Sequence, residues 1–368
     1  MIKLDIPTQA YSDSTDAWLT AYKNNMRHNA VSYDVKPPYK IEWDARFRSV
    51  ITDHPLAVDR YLIFTVRNGT LAFFDIQTGQ KIGDGHLAPA FLHIPTLSEN
   101  ILYYASNLGK KNAGAFDLRR LDKLWESKLP DLNTSPLLIE DRIYIGSNQG
   151  QFFCLNKKNG ETIWTYQKAG QIFGNPAAVN GKIYLANVKG GLMCLNADTG
   201  KELWKTQLKE NIYAGPTVTR DRVFIGSTAG IMYGVDARSG SILWEYKTAG
   251  SIYGNAAYLE ETLFFGCNDN FVYALNAING SELWRFKTNG IVNTAPLVGP
   301  TMVYVASWDK NFYVLDRFSG NLIYRQEFNQ SLKSSPIIYD KRIFLQVAND
   351  RIYCLSHDKS PSKAGLEP

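Results

Sequence analysis

The chain has little of what metal and redox chemistry requires. Its 368 residues include four cysteines and five histidines, with no Cys-x-x-Cys pair and no Cys/His spacing of the zinc-binding kind. Cys154, Cys194 and Cys354 share one local setting, in Phe-Phe-Cys-Leu, Leu-Met-Cys-Leu and Ile-Tyr-Cys-Leu, and Cys267 lies in a neighbouring segment. They read as small buried hydrophobes rather than disulfide partners. Lys and Arg total 40 against 35 Asp and Glu, a net charge of +5. Lys110-Lys111 and Lys157-Lys158 are isolated pairs, not the basic block that grips phosphates, so nucleic acid is not an expected partner. Apolar runs such as Thr301 to Ala306 and Thr262 to Gly266 are strand-length, well short of the ~18 to 20 residues of a membrane helix. Met1 to Thr15 shows no basic stretch followed by an apolar one, so no signal peptide is visible there. Two origins stay open: a cytoplasmic chain, or a mature form with a start Met added. No P-loop, GxGxxG or Ser/His/Asp arrangement is present either.

What the chain has is a period. Trp125, Trp164, Trp204, Trp244 and Trp284 are followed by Tyr324 in the same register, at intervals of 39, 40, 40, 40 and 40 residues. Gly160, Gly200, Gly240, Gly280 and Gly320 each stand four residues before the aromatic. A fixed period of this size marks a repeat architecture. One unit runs as Pro176 to Val179, the Asn180-Gly181 turn, Lys182 to Ala186, a Gly190-Gly191 turn, Leu192 to Leu195, Asn196 to Gly200 and Glu202 to Lys205. That pattern predicts four short antiparallel strands joined by Gly/Asn/Asp turns, which is a propeller blade. The turn glycines supply the positive φ such hairpins need.

Continuing the register backwards reaches Gly83 and then Trp43. Segments ending at 83, 125, 164, 204, 244, 284 and 324 make seven blades. An eighth, from Ser335 to Leu355, has three strands, and Tyr39 to Trp43 supplies its fourth. The expected fold is therefore all-β: an eight-bladed propeller of four-stranded antiparallel blades, closed by an N-terminal strand completing the C-terminal blade. Closure of that kind removes exposed sheet edges from the seam. Residues 1–36 form an extension expected to pack on the ring, with a short helix capped by Ser14-Thr15-Asp16 and running through Asn24. Residues 37–358 form the propeller and 359–368 a loose tail. Blades 1 and 2 are degenerate, with Gly83 in the aromatic slot and a longer Gly/Lys loop from Asn107 to Ala115.

Leu195-Asn-Ala-Asp-Thr-Gly-Lys-Glu-Leu-Trp204 resembles the tryptophan-docking repeat of the pyrroloquinoline-quinone (PQQ) propellers, as do Val235 to Trp244 and Leu275 to Trp284. The resemblance is strong over 125–355 and weaker over 39–124. WD40 repeats would show a Trp-Asp pair closing the third strand and kelch repeats a Gly-Gly pair; Asp-Arg and Asn-Gly turns replace both here. The resemblance implies two functions: quinoprotein dehydrogenases hold PQQ and calcium in the ring, whereas BamB-type propellers of the bacterial envelope are bare binding scaffolds. It also implies an extracytoplasmic, periplasmic location. A lipid-attachment cysteine, which a BamB-type lipoprotein would carry near its start, is missing from residues 1–36.

The residues themselves favour a scaffold. Asp269 and Asp309 share one slot, with Asn349 and Asp350 at its last occurrence, and read as turn formers rather than calcium ligands. No catalytic, cofactor or metal residue is assigned, and PQQ and calcium are not favoured. Trp43, Trp125, Trp164, Trp204, Trp244, Trp284 and Tyr324 read as wedges between blades. The position three residues before the Pro of each inner strand should lie near the mouth of the central channel. Aligned on Pro55, Pro89, Pro136, Pro176, Pro216, Ala256, Pro296 and Pro336, it holds Thr52, His86, Asn133, Phe173, Tyr213, Tyr253, Asn293 and Lys333. Phe173, Tyr213 and Tyr253 would make an aromatic arc, facing polar Asn293 and Lys333. Trp308, off the register, is expected on the same face. Such an arc suits a protein partner, and burial as channel filling is its alternative. The chain is thus expected not to span a membrane, though its partners could bring it to one. Alternatives to the scaffold are a small quinoprotein, a sugar-binding propeller or a sensor module of a signalling protein.

Overall fold

The computed structural model of the chain describes residues 16–348 and 350–359. These form eight four-stranded sheets and, among the described residues, no α-helix. Blade 4 is typical: Ala177–Val179, Lys182–Ala186, Gly191–Asn196 and Glu202–Gln207 pair in order. In blade 8 the order is Ile337–Tyr339, Arg342–Val347, Arg351–His357 and then Tyr39–Arg46, which pairs Ile41 with Leu355 and Trp43 with Cys354. The ring is closed by its N-terminal strand, as the repeat count predicts. Asn349 and the tail from 360 lie outside the described residues.

The turn chemistry explains why each blade ends its third strand at the same place. Asn196 Oδ1 accepts hydrogen bonds from the backbone N of Asp198 and Thr199 and from the Thr199 hydroxyl. Gly200, at φ 68°, then donates its N–H to Asn196 O at 2.9 Å. Asp236, Asn276 and Asp316 organise their turns in the same way. This is a side chain standing in for a backbone turn, completed by a residue free to take positive φ. Past the turn, each outer strand carries a bulge, as at Leu203 opposite Cys194 and Leu195, which adds local twist beside the tryptophan.

The indoles join the blades. Trp204 Nε1 donates to Ala237 O at 3.1 Å, Trp244 to Ala277 O at 3.2 Å and Trp284 to Arg317 O at 2.9 Å, each acceptor in the turn of the next blade. Trp164, Trp125 and Trp43 reach Ala197, Lys157 and Ile76 in the same way. The ring faces the receiving glycine. A Cβ on Gly280 would fall 2.6 Å from the Trp244 ring, and one on Gly200 2.6 Å from that of Trp164. The glycine is therefore required twice, by its φ and by the indole. Tyr324 has no such acceptor, because the fourth strand of blade 8 comes from the N-terminus and no third-to-fourth turn exists there. Its ring packs edge-on against Tyr39 at 4.9 Å.

Residues 16–31 correct one expectation. Instead of a helix over 14–24, the described part from Asp16 is a run of turns, with Tyr22, Lys23, Arg27 and Asn29 all at positive φ. Ser14 and Thr15 lie outside the described residues. The backbone groups that a helix would pair internally are paired instead with the ring. Trp18 exchanges hydrogen bonds with Ala57, Leu19 O accepts from Leu97 N, Asn25 O from Ala178 N, Met26 O from Val218 N, His28 O from Tyr258 N and Asn29 O from Val298 N. The two blades these miss are met by side chains, Asn25 Nδ2 on Leu138 O and Trp18 Nε1 on Ile338 O. The inner strands of all eight blades thus hold one segment, which fills the axial channel.

Candidate functional site

Among the described residues the segment meets the ring's outer edge at one end. Asp34 binds Thr301, and the Tyr33 hydroxyl meets the N–H of Lys341. Both partners sit at hairpins between inner and second strands. That end of the channel is therefore closed by the chain's own residues, with Trp18, Arg27 and Asn29 fully buried. Arg27 donates through Nε to Pro176 O and through Nη1 to Ala21 O and the Thr20 hydroxyl, while Nη2 has no partner. Burial lowers its pKa to about 10, with Tyr22 opposing the shift. His54, which accepts from Tyr22 N and stacks edge-on against Trp18, is held below its usual value by burial. Nothing in the sequence pattern marks these plug residues, because the segment has no period of its own.

The opposite end is the rim, and its slot residues are not equivalent. Phe173 and Tyr253 are 46% and 40% exposed, and Tyr213 between them is half-buried. Phe173 meets Tyr213 at 5.3 Å and Tyr213 meets Tyr253 at 5.9 Å between centroids, so three adjacent blades carry one continuous aromatic arc. Asn133, in the blade before the arc, turns inward, its amide donating to Ile172 O at 2.9 Å. Asn293, in the blade after it, is half-buried with Oδ1 unpartnered. Lys333 is exposed, and its ammonium lies 5.1 Å above the ring of Trp308, which is itself 38% exposed. Thr52 is half-buried and bonded to Thr65.

His86 does not belong to this set. It ends the outer strand of blade 1, paired with Thr70. The inner strand of blade 2 is Thr96–Ser98, following Pro95, so Leu92 takes the slot. The linker between blades 1 and 2 is longer than the repeat allows, and Pro89 lies within it. The prolines alone could not reveal that shift. The 96–98 run, bounded by Pro95 and the Glu99-Asn100 turn, was the available signal.

The carboxylates near this face are already engaged. Asp269 accepts from Ala249 N, Phe271 N and the Tyr273 hydroxyl, and Asp309 from Asn289 N, Asn311 N and the Tyr313 hydroxyl. These bonds hold Asp309 below its ordinary pKa against the opposing effect of burial, which is the largest single influence on it. Among the described residues no group of three or more His, Cys, Asp or Glu stands together as a metal site. A calcium ion wants six to eight oxygens, and these side chains are not arranged to give them. The cysteines are buried and inert, with burial pushing Cys194 and Cys267 to about 11.

Solved structures with this architecture include both kinds of propeller. BamB from Moraxella catarrhalis superposes with a TM-score of 0.73 at 17% identity, over 87% of this chain and all of that one. A europium-containing methanol dehydrogenase gives 0.80 at 10% identity, over 94% and 98% of the two chains. The quinohemoprotein alcohol dehydrogenase of Comamonas testosteroni gives 0.76 at 10%, over 99% and 85%. At such identities the likeness is one of fold. No curated protein matches the sequence. The model of one sequence family, described as outer membrane protein assembly factor BamB, matches residues 44–166, 167–290 and 268–360, so that nearly the whole ring is covered. The chain belongs to that BamB family of PQQ-like repeat propellers.

Proposed function

We propose that the chain is a non-enzymatic scaffold that docks a protein partner on its rim face, in the bacterial cell envelope. The observation that carries this reading is the aromatic arc of Phe173, Tyr213 and Tyr253. Its rings stand on rigid interblade loops in mutual contact while presenting apolar area to solvent. Exposed aromatics on a fixed support are how protein hot spots are commonly built. The filled channel adds to it, since a partner meets one open face rather than a pore. Family membership favours an extracytoplasmic location, and no helix among the described residues is long and apolar enough to cross a membrane. Any association with a membrane would then run through the partner.

A photo-crosslinking amino acid placed at Tyr253, and separately at Lys341 on the closed end, tests the reading in cells that make the protein. The expected result is one discrete crosslinked protein from position 253 and none from 341. Equal, diffuse labelling from both positions would overturn it. The second reading, a small quinoprotein, draws on the likeness to dehydrogenases in fold. It requires oxygen ligands that the carboxylates named above do not provide.

A further inference from the structure

The rim is not uniform, and its far side from the aromatic arc carries a different chemistry. Between blades 8 and 1 lies a cavity of about 230 Å³ lined by Thr52, Asp53, Arg67, Lys333, Ser334 and Gln346, with Val50 and Ile51 beneath. Gln346 is 5% exposed and its Oε1 has no hydrogen-bond partner. A buried amide left unsatisfied in this way is costly and uncommon unless something else completes it. Its two ends are interchangeable by rotation, so it can present either an acceptor or a donor to the cavity.

The cavity lining carries two cations, Arg67 and Lys333, against one carboxylate, Asp53. Arg48 and Lys310 stand on the neighbouring loops. None of these four makes an ion pair among the described residues, whose ion pairs all involve other cations. The carboxylates here are hydrogen-bonded, that of Asp53 within the cavity lining itself. Asp53 is held by the Ser334 hydroxyl and by His54 N, Asp309 by its own turn and Tyr313, and Asp350 by Arg46 at 3.0 Å. Lys333 also borders an adjoining cleft of about 360 Å³ with Lys310, Asn329 and Ser331, so the positive sector runs on toward Trp308.

We propose that this cavity takes a side-chain carboxylate from an acidic segment of the docked protein, while apolar residues of the same segment lie on Phe173, Tyr213 and Tyr253. The inference rests on the docking reading and names the partner's chemistry. Size supports it: a cavity of about 230 Å³ is below the ~300 to 1,000 Å³ of ordinary cofactor pockets but admits a carboxylate with its waters. Two cations without an ion pair outweigh the one carboxylate of Asp53 in this lining, and with the Gln346 amide they are suitable partners for that group. The separation of the cationic sector from the aromatic arc asks for an extended occupant, not a free anion.

The test is fluorescence anisotropy of the full chain with a labelled, end-blocked dodecapeptide of Glu-Phe-Gly-Ser repeats, beside its Gln-for-Glu counterpart. The Glu peptide is expected to bind about tenfold tighter at low salt and to lose most of that advantage at moderate salt. Lys333→Gln, Arg67→Gln and Gln346→Ala should each remove a large part of the difference, and Lys341→Gln on the closed end should remove none. Phe173→Ala should weaken both peptides alike. Equal affinity of the Glu and Gln peptides, including no binding of either, overturns the inference. If both then still depend on Phe173, the docking reading survives without it. Displacement of the peptide by free glutamate at the peptide's own affinity would also overturn it, since the cavity would then be a free-anion site.

Discussion

Blades 4 to 7 and blades 1 to 2 occupy the same ring by different means. In the regular sector the indoles of blades 4 to 6 each reach the turn of the next blade and lie on a glycine there, as Trp244 does on Gly280. Between blades 1 and 2 both halves of that contact are missing. Gly83 replaces the aromatic, and the receiving turn carries Leu121, at φ 56°, where a glycine would be. Other apolar side chains fill the gap, with Ile82, Phe116 and Leu121 packed on the cluster that holds Leu97 and Leu118. Wedge and socket are lost together because neither is useful alone. A glycine without the indole leaves a hole, and an indole facing a Cβ would not fit. The periodic residues are thus a paired device, and the irregular sector depends more on the plug.

Breaking the device where it exists should have the largest effect. Trp244→Ala is expected to cost about 3 to 5 kcal/mol, as for other large-to-small core changes, read as a shift of the denaturant midpoint at constant slope. A loss below about 1 kcal/mol, far under that range, would mean that the indole is not joining blades. Gly280→Ala should cost less, roughly 1 to 3 kcal/mol, from a Cβ forced against the Trp244 ring at positive φ. In the double variant Trp244→Ala, Gly280→Ala the second change should become cheaper, because the ring it meets is gone.

Acid sharpens the comparison, because His54 and His93 lie in blades 1 and 2 while His28, a plug residue, touches the regular sector only at the inner strands, through Val218 and Tyr258. Burial lowers the pKa of His28 and His54, and takes His93 down to about 4 with partial relief from Asn133. A histidine held low in the fold binds fewer protons than in the unfolded chain. Its contribution is therefore complete above the unfolded value near 6.5 and is lost progressively as pH falls toward the folded value. Hydrogen exchange between pH 7 and 5 should show protection falling first in the plug and blades 1 and 2, with the Trp204 to Trp284 strands changing least. Uniform loss around the ring would contradict the division. The smallest effect is expected at Gly85, in the outer strand of blade 1, where an added Cβ meets nothing within 4 Å. Gly85→Ala should be neutral or stabilise by up to about 1 kcal/mol.

These contrasts also explain what was legible. The ring, its eight blades and its closure at Trp43 follow from residues that repeat, since each copy reports the same local physics. Phe173, Tyr213 and Tyr253 could be aligned for the same reason, although their exposure depends on the loops around them. The plug could not be read. Arg27 and Asn29 are buried because eight inner strands leave backbone groups free along the axis, and that is a property of the assembled ring. Helix signals at Asp16 to Asn24 lost to those partners. His86 was misaligned because a longer linker displaced the strand that defines the slot. Gln346 and Arg67 come together only at the seam between the last blade and the first, where a period is least informative.

The most direct test of a docking scaffold, as against a cofactor enzyme, is titration of the purified protein with PQQ and calcium, followed by melting temperature and quinone absorbance. The account expects no saturable change in either up to high micromolar quinone. A ligand that binds the folded state must raise its melting temperature by mass action. Saturable binding with such a rise, lost in Phe173→Ala or Tyr253→Ala, would contradict the account and make the rim a cofactor site.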